Sequence, residues 1–408
     1  MLIIDYFVKN QKLISNIITE VGTPVFITDK SILNKKVKNI RKAFDNNCLL
    51  YYALKANFNP MIIRLLKDAG IDGVETISPF EIDLAKKCGF KGNQILFTGN
   101  NCDNYELDYA NKHNVVVNIG SISELQCYAE KYNGSEVSIR INPGFGDGEF
   151  KQIITGGEDS KFGIYHSQME EALNIIKFNN LKLIGLHCHL GSGLYNTMNF
   201  APMVDFMFKL GNQIENLRFI DLGGGFGVRY KPSDEEVDLS EFALVVDNYY
   251  KKYQNLQKNN IKIIFEPGKY LVAESTFLLT KITNIRLQGN KKIVCVNTGF
   301  NHIIRPALYS SYHHVINLSN MGDLEEEVQL VGNICESTDI INNNTQVAKP
   351  EEGNVLAILT AGAYCSSMSS LYNLRPYASE VLIDDTNFKI TRRRMDFEDT
   401  FNSMGFNY

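Results

Sequence analysis

No stretch of this 408-residue sequence approaches the about 18 consecutive apolar residues that a membrane-crossing helix needs. Its opening, MLIIDYFVKNQKL, lacks a basic segment followed by a long apolar run and a small-residue cleavage site. A cytoplasmic protein with no membrane partner is the expectation. A basic stripe is missing too: the net charge is -5 and Lys is mixed with Asp and Glu along the chain, so no stretch is laid out to neutralise a phosphate backbone. Nucleic acid is therefore not an expected partner. The cysteines, at 48, 88, 102, 127, 188, 295, 335 and 365, lack the short paired spacings of a zinc cluster or a disulfide framework. Free thiols in a reducing compartment fit them better, and no metal is expected.

What is present is material for a large core. The chain is 44% apolar with 24 Phe and 20 Tyr, enough by length for two domains. From about residue 45 to 270, β-branched and aromatic runs alternate with helical patterns, which predicts repeated βα units around a parallel sheet or barrel. The predicted strands are CLLYYAL, NQILFTG, NVVVNIG, VSIRINP, LKLIGLHCHL, LRFIDLGG and IKIIFEPG. Asn59 and Pro60 open a helix over MIIRLLKDA that Gly70 closes. Ser78 with Glu81, Ser121 with Glu124 and Ser167 with Glu170 have capping-box spacing. Beyond about 275, runs such as TFLLTKITNIRL, KKIVCVNTG and NVLAILTAG predict a second, mainly β domain, completed by the N-terminal TPVFITD; the Asn-rich stretch near 342 reads as a surface loop.

The chemically suggestive residues follow these strands, where a (β/α)8 barrel builds its active site. Lys55 ends YYALK, and a partly desolvated lysine suits Schiff-base chemistry, although lysines close strands routinely. In HCHLGSG, strand alternation puts His187 and His189 on one face and Cys188 on the other, which counts against a three-ligand metal cluster. Two core histidines, two ligands of a metal, or His189 stacked on a planar cofactor with Ser192 holding phosphate remain open readings. DLGGGFGV is a strand entering a glycine-rich turn suited to an anion at Gly224 and Gly225, or simply a tight turn; Val228 stands where a dinucleotide fingerprint needs its last glycine. FEPGKY places Glu266, Pro267, Gly268 and Lys269 at another strand end, where a carboxylate suits a protonated pyridine nitrogen or a structural ion pair. Farther on, Arg305 offers a carboxylate fork with Tyr309 beside it, and Cys335 with Glu336 offers a proton and an ammonium contact. Any of these alone is as readily a surface turn.

In combination, YALKAN, INPGFG, TGGEDSKFGI, HCHLGSG, GGGFG, EPG, GFNHIIRPALYSSYHH, CES and GAYCSSMSSLYNLRP resemble, in order and over about residues 20 to 397, the diaminopimelate decarboxylases among the alanine-racemase-like (fold type III) enzymes. The resemblance implies an α/β chain: an N-terminal (β/α)8 TIM barrel over 31–272, a C-terminal mainly-β domain over 273–408, and residues 1–30 joining the β domain. It also implies pyridoxal 5'-phosphate as cofactor, an amino-acid substrate and a head-to-tail homodimer. Lys55 would carry the cofactor as a Schiff base, His189 would stack on its ring and Glu266 would hold its pyridine nitrogen. Phosphate would be held by Ser192, by the amides around Gly224 and Gly225, and by the turn Glu266, Pro267, Gly268, Lys269. Lys269, Arg305 and Tyr309 would meet a substrate carboxylate, Glu336 its distal ammonium, Tyr364 both cofactor and substrate, and Cys335 of a neighbouring subunit would be the proton donor. The implied reaction turns meso-2,6-diaminopimelate into L-lysine and carbon dioxide. Two departures stand out: Lys269 replaces the family's usual Arg, losing a planar two-donor fork, and CESTD replaces CESGD. A related decarboxylase of another basic, diamino or carrier-linked amino acid, a racemase, and a non-catalytic regulatory homologue remain alternatives.

Overall fold

The structure of the protein is a computed structural model that describes residues 3–44, 48–322 and 324–406. The chain forms two compact units, one of Lys36–Val228 with Glu236–Tyr270, the other of Met1–Lys35, Arg229–Glu235 and Leu271–Tyr408.

The first unit is a closed parallel barrel. Its strands are β1 (Cys48–Ala53), β2 (Gly73–Thr76), β3 (Ile95–Phe97), β4 (Val116–Ile119), β5 (Glu136–Asn142), β6 (Lys182–His187), β7 (Phe219–Asp221) and β8 (Lys262–Phe265). Each pairs in parallel with the next, and Ile263 opposite Cys48 joins β8 back to β1. All the strands expected from the sequence in this region are present. The additions are β2, a four-residue GVET whose glutamate hides its strand character, and the two-residue strand Ile164–Tyr165 paired beside β5.

Helices return the chain between strands, and their starts are chemically marked. The Asn59 side chain accepts the Met61 N–H at the start of Pro60–Asp68, and Gly70, at φ +103°, follows its end. Ser78 and Ser121 accept the N–H of Glu81 and Glu124, as their spacing predicts. The Ser167–Glu170 pair does not cap: a 3-10 turn over His166–Gln168 precedes the helix Met169–Phe178, so Gln168 holds the cap position and Ser167 lies inside the turn.

Parallel register stacks inward side chains into layers. Arg140 of β5 lies opposite His187 of β6, and His187 opposite Asp221 of β7. The strands therefore carry a layer of ionisable groups to their C-terminal ends.

The second unit is a nine-stranded sheet. Val25–Asp29 lies between Thr276–Gln288, antiparallel to it, and Ser379–Asp384, parallel to it. Leu278, Val294, Val296, Val328, Leu330, Leu356 and Ile358 form one of its cores. The Asn-rich stretch is not a loop: Ile340–Ala348 is a strand paired with Glu325–Val331, and buried Asn342 donates through Nδ2 to the His313 carbonyl (2.8 Å). A polar composition hid a strand whose alternate side chains face inward. Among the described residues, no helix is long and apolar enough to cross a membrane.

Candidate active site

Lys55 follows β1 in a 3-10 turn, Leu54–Ala56, with its side chain partly exposed at the C-terminal end of the barrel. Its Nζ stands 3.1 and 3.3 Å from the two oxygens of Glu75, a fully buried carboxylate on β2. A lysine ammonium is thus fixed by an ion pair where a planar carbonyl compound entering the barrel mouth would meet it. Glu75 escaped sequence reasoning because β2 itself did.

Behind this pair lies a buried polar chain. The Asn118 Nδ2 reaches Thr98 Oγ1 (3.2 Å) and His187 Nδ1 (2.7 Å). With Nδ1 accepting from an amide, the imidazole proton sits on Nε2, which stands 3.5 Å from Glu266 Oε2. Burial, then the Arg140 guanidinium, hold both His187 and His189 well below the usual histidine range, so both rings are neutral. Burial likewise pushes Asp221 up to about 8 and Glu266 well above the usual carboxylate range. One buried oxygen on each, Asp221 Oδ2 and Glu266 Oε1, has no hydrogen-bond partner among the described residues. Asn118, Arg140 and Asp221 were also missed from sequence, although Arg140 and Asp221 lie opposite His187 in register and Asn118 meets it through its side chain.

Two glycine turns are zipped together beside this layer. The N–H groups of Gly193 and Leu194 both donate to the Gly225 carbonyl (2.8 Å each), Glu266 N–H donates to Gly223 O (2.8 Å), and Gly224 N–H donates to His189 Nδ1 (3.3 Å). A methyl at Gly224 would meet Glu266 O at 2.2 Å, and one at Gly225 would meet Gly191 O at 2.2 Å. Such close backbone approach is how amides converge on a phosphate. Ser192 lies in the first turn, and Pro267, Gly268 and Lys269 continue from Glu266, so the predicted barrel residues come together at one end of one sheet. These groups fit pyridoxal phosphate: a glycine cradle for phosphate, a lysine for the aldehyde, a neutral imidazole, and a buried carboxylate oxygen in want of a donor. Lys269 is 4% exposed with Nζ 3.5 Å from Glu149 Oε2, so the cation that replaces the family's arginine already has a carboxylate neighbour.

The remaining predicted residues belong to the second unit. Arg305 is buried, its guanidinium 4.5 Å from the Tyr230 ring centre, and its Nη1 donates to His313 Nε2 (3.1 Å). Burial, then that arginine, pushes His313 down to about 3. Tyr309 ends the short helix Arg305–Tyr309. Cys335 and Glu336 are exposed; the Cys335 N–H donates to Asn373 Oδ1 (2.8 Å), and Ser337 N–H to Glu336 Oε1 (2.8 Å). Tyr364 sits at φ +58°.

Residues 30–273 match the family model described as pyridoxal-dependent decarboxylase, pyridoxal binding domain. The chain is 34% identical to a diaminopimelate decarboxylase of Methanothermobacter thermautotrophicus, over 93% of this chain and 91% of that protein. It is 36% identical to one from Buchnera aphidicola subsp. Schizaphis graminum, over 95% of each. Among solved structures it resembles diaminopimelate decarboxylase from Helicobacter pylori complexed with L-lysine, with a TM-score of 0.88 and 31% identity over 96% of this chain and 100% of that one.

Proposed function

The chain belongs to the diaminopimelate decarboxylase family of pyridoxal-phosphate enzymes, and from that premise we propose that it removes carbon dioxide from meso-2,6-diaminopimelate to give L-lysine. The observation that carries the proposal is Lys55 at the barrel mouth, paired with Glu75 and facing a layer that ends in Glu266. Pyridoxal phosphate, when bound, supplies a cationic ring that accepts the electron pair left behind as carbon dioxide departs.

The residues have separable tasks. Lys55 would provide the amine that holds the cofactor covalently, and Glu75 is the carboxylate partner of its free ammonium. Ser192, the glycine turn at Gly224 and Gly225, and the turn from Glu266 through Pro267 and Gly268 to Lys269 would hold phosphate. His189, held neutral by desolvation and the Arg140 guanidinium, would stack on the ring without repelling a positive charge on it. Glu266 keeps the ring nitrogen protonated, which is electrostatic preorganisation rather than covalent chemistry. Lys269, Arg305 and Tyr309 bind a substrate carboxylate, Glu336 the distal ammonium, and Tyr364 contacts substrate and cofactor. Cys335 returns a proton from Sγ to the carbon that lost its carboxylate. Its exposure, and that of Glu336, supports their serving the site of a second copy in a head-to-tail homodimer. A cytoplasmic location suits such a biosynthetic enzyme.

Lys269 favours one second reading, a shifted preference toward another diamino acid, because one ammonium beside Glu149 makes fewer directed bonds than a guanidinium fork. Carbon dioxide release from the reconstituted protein separates the two. Release from meso-diaminopimelate, and not from L- or D-lysine, L- or D-ornithine or arginine, is expected. Preference for any of the others replaces the proposal with that second reading, and no release from any of them defeats both.

A further inference from the structure

Asp221 and Glu266 lie on adjacent strands, β7 and just past β8, and are 0% and 6% exposed. Donor atoms of His187, Asp221 and Glu266 all lie within 4.8 Å of one another. Asp221 Oδ1 accepts the Gly223 N–H (2.8 Å), whereas Asp221 Oδ2 and Glu266 Oε1 have no hydrogen-bond partner among the described residues. We propose that Asp221 and Glu266 share one proton in the cofactor-free chain and give it up when a cationic ring nitrogen comes to rest against Glu266.

The surrounding charges lead to the same place. Lys55 faces the pair from β1, Glu75 from β2, Arg140 from β5, His187 from β6 and His189 from the turn beyond it. Tyr51 and Cys188 are also near, each pushed up to about 12 by burial and so neutral. His187 and His189 are neutral for the reason given above. The carboxylates of Glu75, Asp221 and Glu266 then stand against the cations of Lys55 and Arg140, and Lys55 is already paired with Glu75. One negative charge is in excess inside a water-poor space, and the carboxylates nearest each other relieve it by holding a proton between them. Burial pushing Asp221 up to about 8 and Glu266 well above the usual carboxylate range agrees with this. His187 cannot supply the missing charge, since burial and the Arg140 guanidinium hold its ring neutral.

The balance on loading is simple. A ring nitrogen that arrives unprotonated takes the proton: one carboxyl O–H bond breaks, one N–H bond forms, and nothing is drawn from solvent. A ring nitrogen that arrives protonated displaces the proton to water. Both routes leave two carboxylates facing one pyridinium.

The inference rests on the reading that Glu266 faces the ring nitrogen, and the visible absorption of bound cofactor checks loading separately. Infrared difference spectra of the full chain with and without pyridoxal phosphate at neutral pH test the inference. A protonated-carboxyl band in the cofactor-free wild type that disappears on loading is expected. No such band, or one unchanged on loading while the bound-cofactor absorption is normal, overturns the inference and leaves the functional reading intact. Calorimetry at neutral pH in buffers of different ionisation enthalpy adds an independent count. Asp221→Asn, whose site is charge-balanced with Glu266 ionised, should take up one more proton on loading than wild type; equal uptake contradicts the proposal. So does stoichiometric zinc binding to the cofactor-free wild type that Asp221→Asn abolishes, because the pair would then serve a cation.

Discussion

At the end of the barrel, Glu75, Asp221 and Glu266 are buried with Arg140 and the neutral rings of His187 and His189, on strands whose register fixes their spacing. In the sheet unit the candidate groups are spread differently: Arg305 lies against Tyr230 and donates from Nη1 to His313, and Cys335 and Glu336 stand exposed on a turn. The difference teaches where each region's chemistry comes from. Buried barrel groups acquire their protonation states from one another, so changing one changes its neighbours. The exposed groups contribute by position.

The comparison is broken most severely at Lys55. Lys55→Ala should lower carbon dioxide release by about 10²- to 10⁴-fold or more and abolish the bound-cofactor absorption after dialysis. Glu266→Gln should lower kcat by about 10²- to 10³-fold, as removal of one preorganised charge does, with the cofactor still attached. If kcat is unchanged, the charge layer has no part in the reaction. Cys335→Ala should lower kcat by about 10²-fold, the lower end for a lost proton donor, and leave cofactor affinity as it was. A loss of cofactor affinity there would erase the distinction between the regions.

Smaller effects sharpen it. Gly225→Ala puts a methyl 2.2 Å from Gly191 O at φ +97°, so thermal unfolding should show a loss of about 1–3 kcal/mol together with weaker phosphate binding. In the sheet unit His302 and His313, pushed by burial to about 4 and about 3, stay neutral when folded. Unfolding lets them take up protons, so stability is full above the unfolded value near 6.5 and falls as pH drops toward those lower values. Asp221 works with the opposite sign: its raised folded value makes its contribution complete below the ordinary carboxylate range and lost as pH rises toward about 8. Denaturant titrations of the cofactor-free protein should therefore show the acid-side loss shrink in His313→Asn and the neutral-side loss shrink in Asp221→Asn.

Much of this was legible in the sequence. Strand alternation around HCHLGSG and the glycine and proline turns located the residues that end β1, β6, β7 and β8, because turn chemistry is local. Glu75 was not legible, since a four-residue strand with a central glutamate has no hydrophobic period to read. Asn118 and Arg140 lie on strands that were read, yet their importance comes from meeting His187, Arg140 by register and Asn118 by a side-chain contact, which exist only once the barrel closes. The Asn342 strand was misread for a related reason: its pairing with Glu325–Val331 outweighs a composition that favours turns.

The most direct test of the account is borohydride reduction of the reconstituted protein, followed by mass mapping of the modified peptide. A single pyridoxyl group on Lys55 is the predicted result. Modification of Lys269 or another lysine in its place, or none with the cofactor present, would contradict the assignment of the barrel mouth as the site of chemistry.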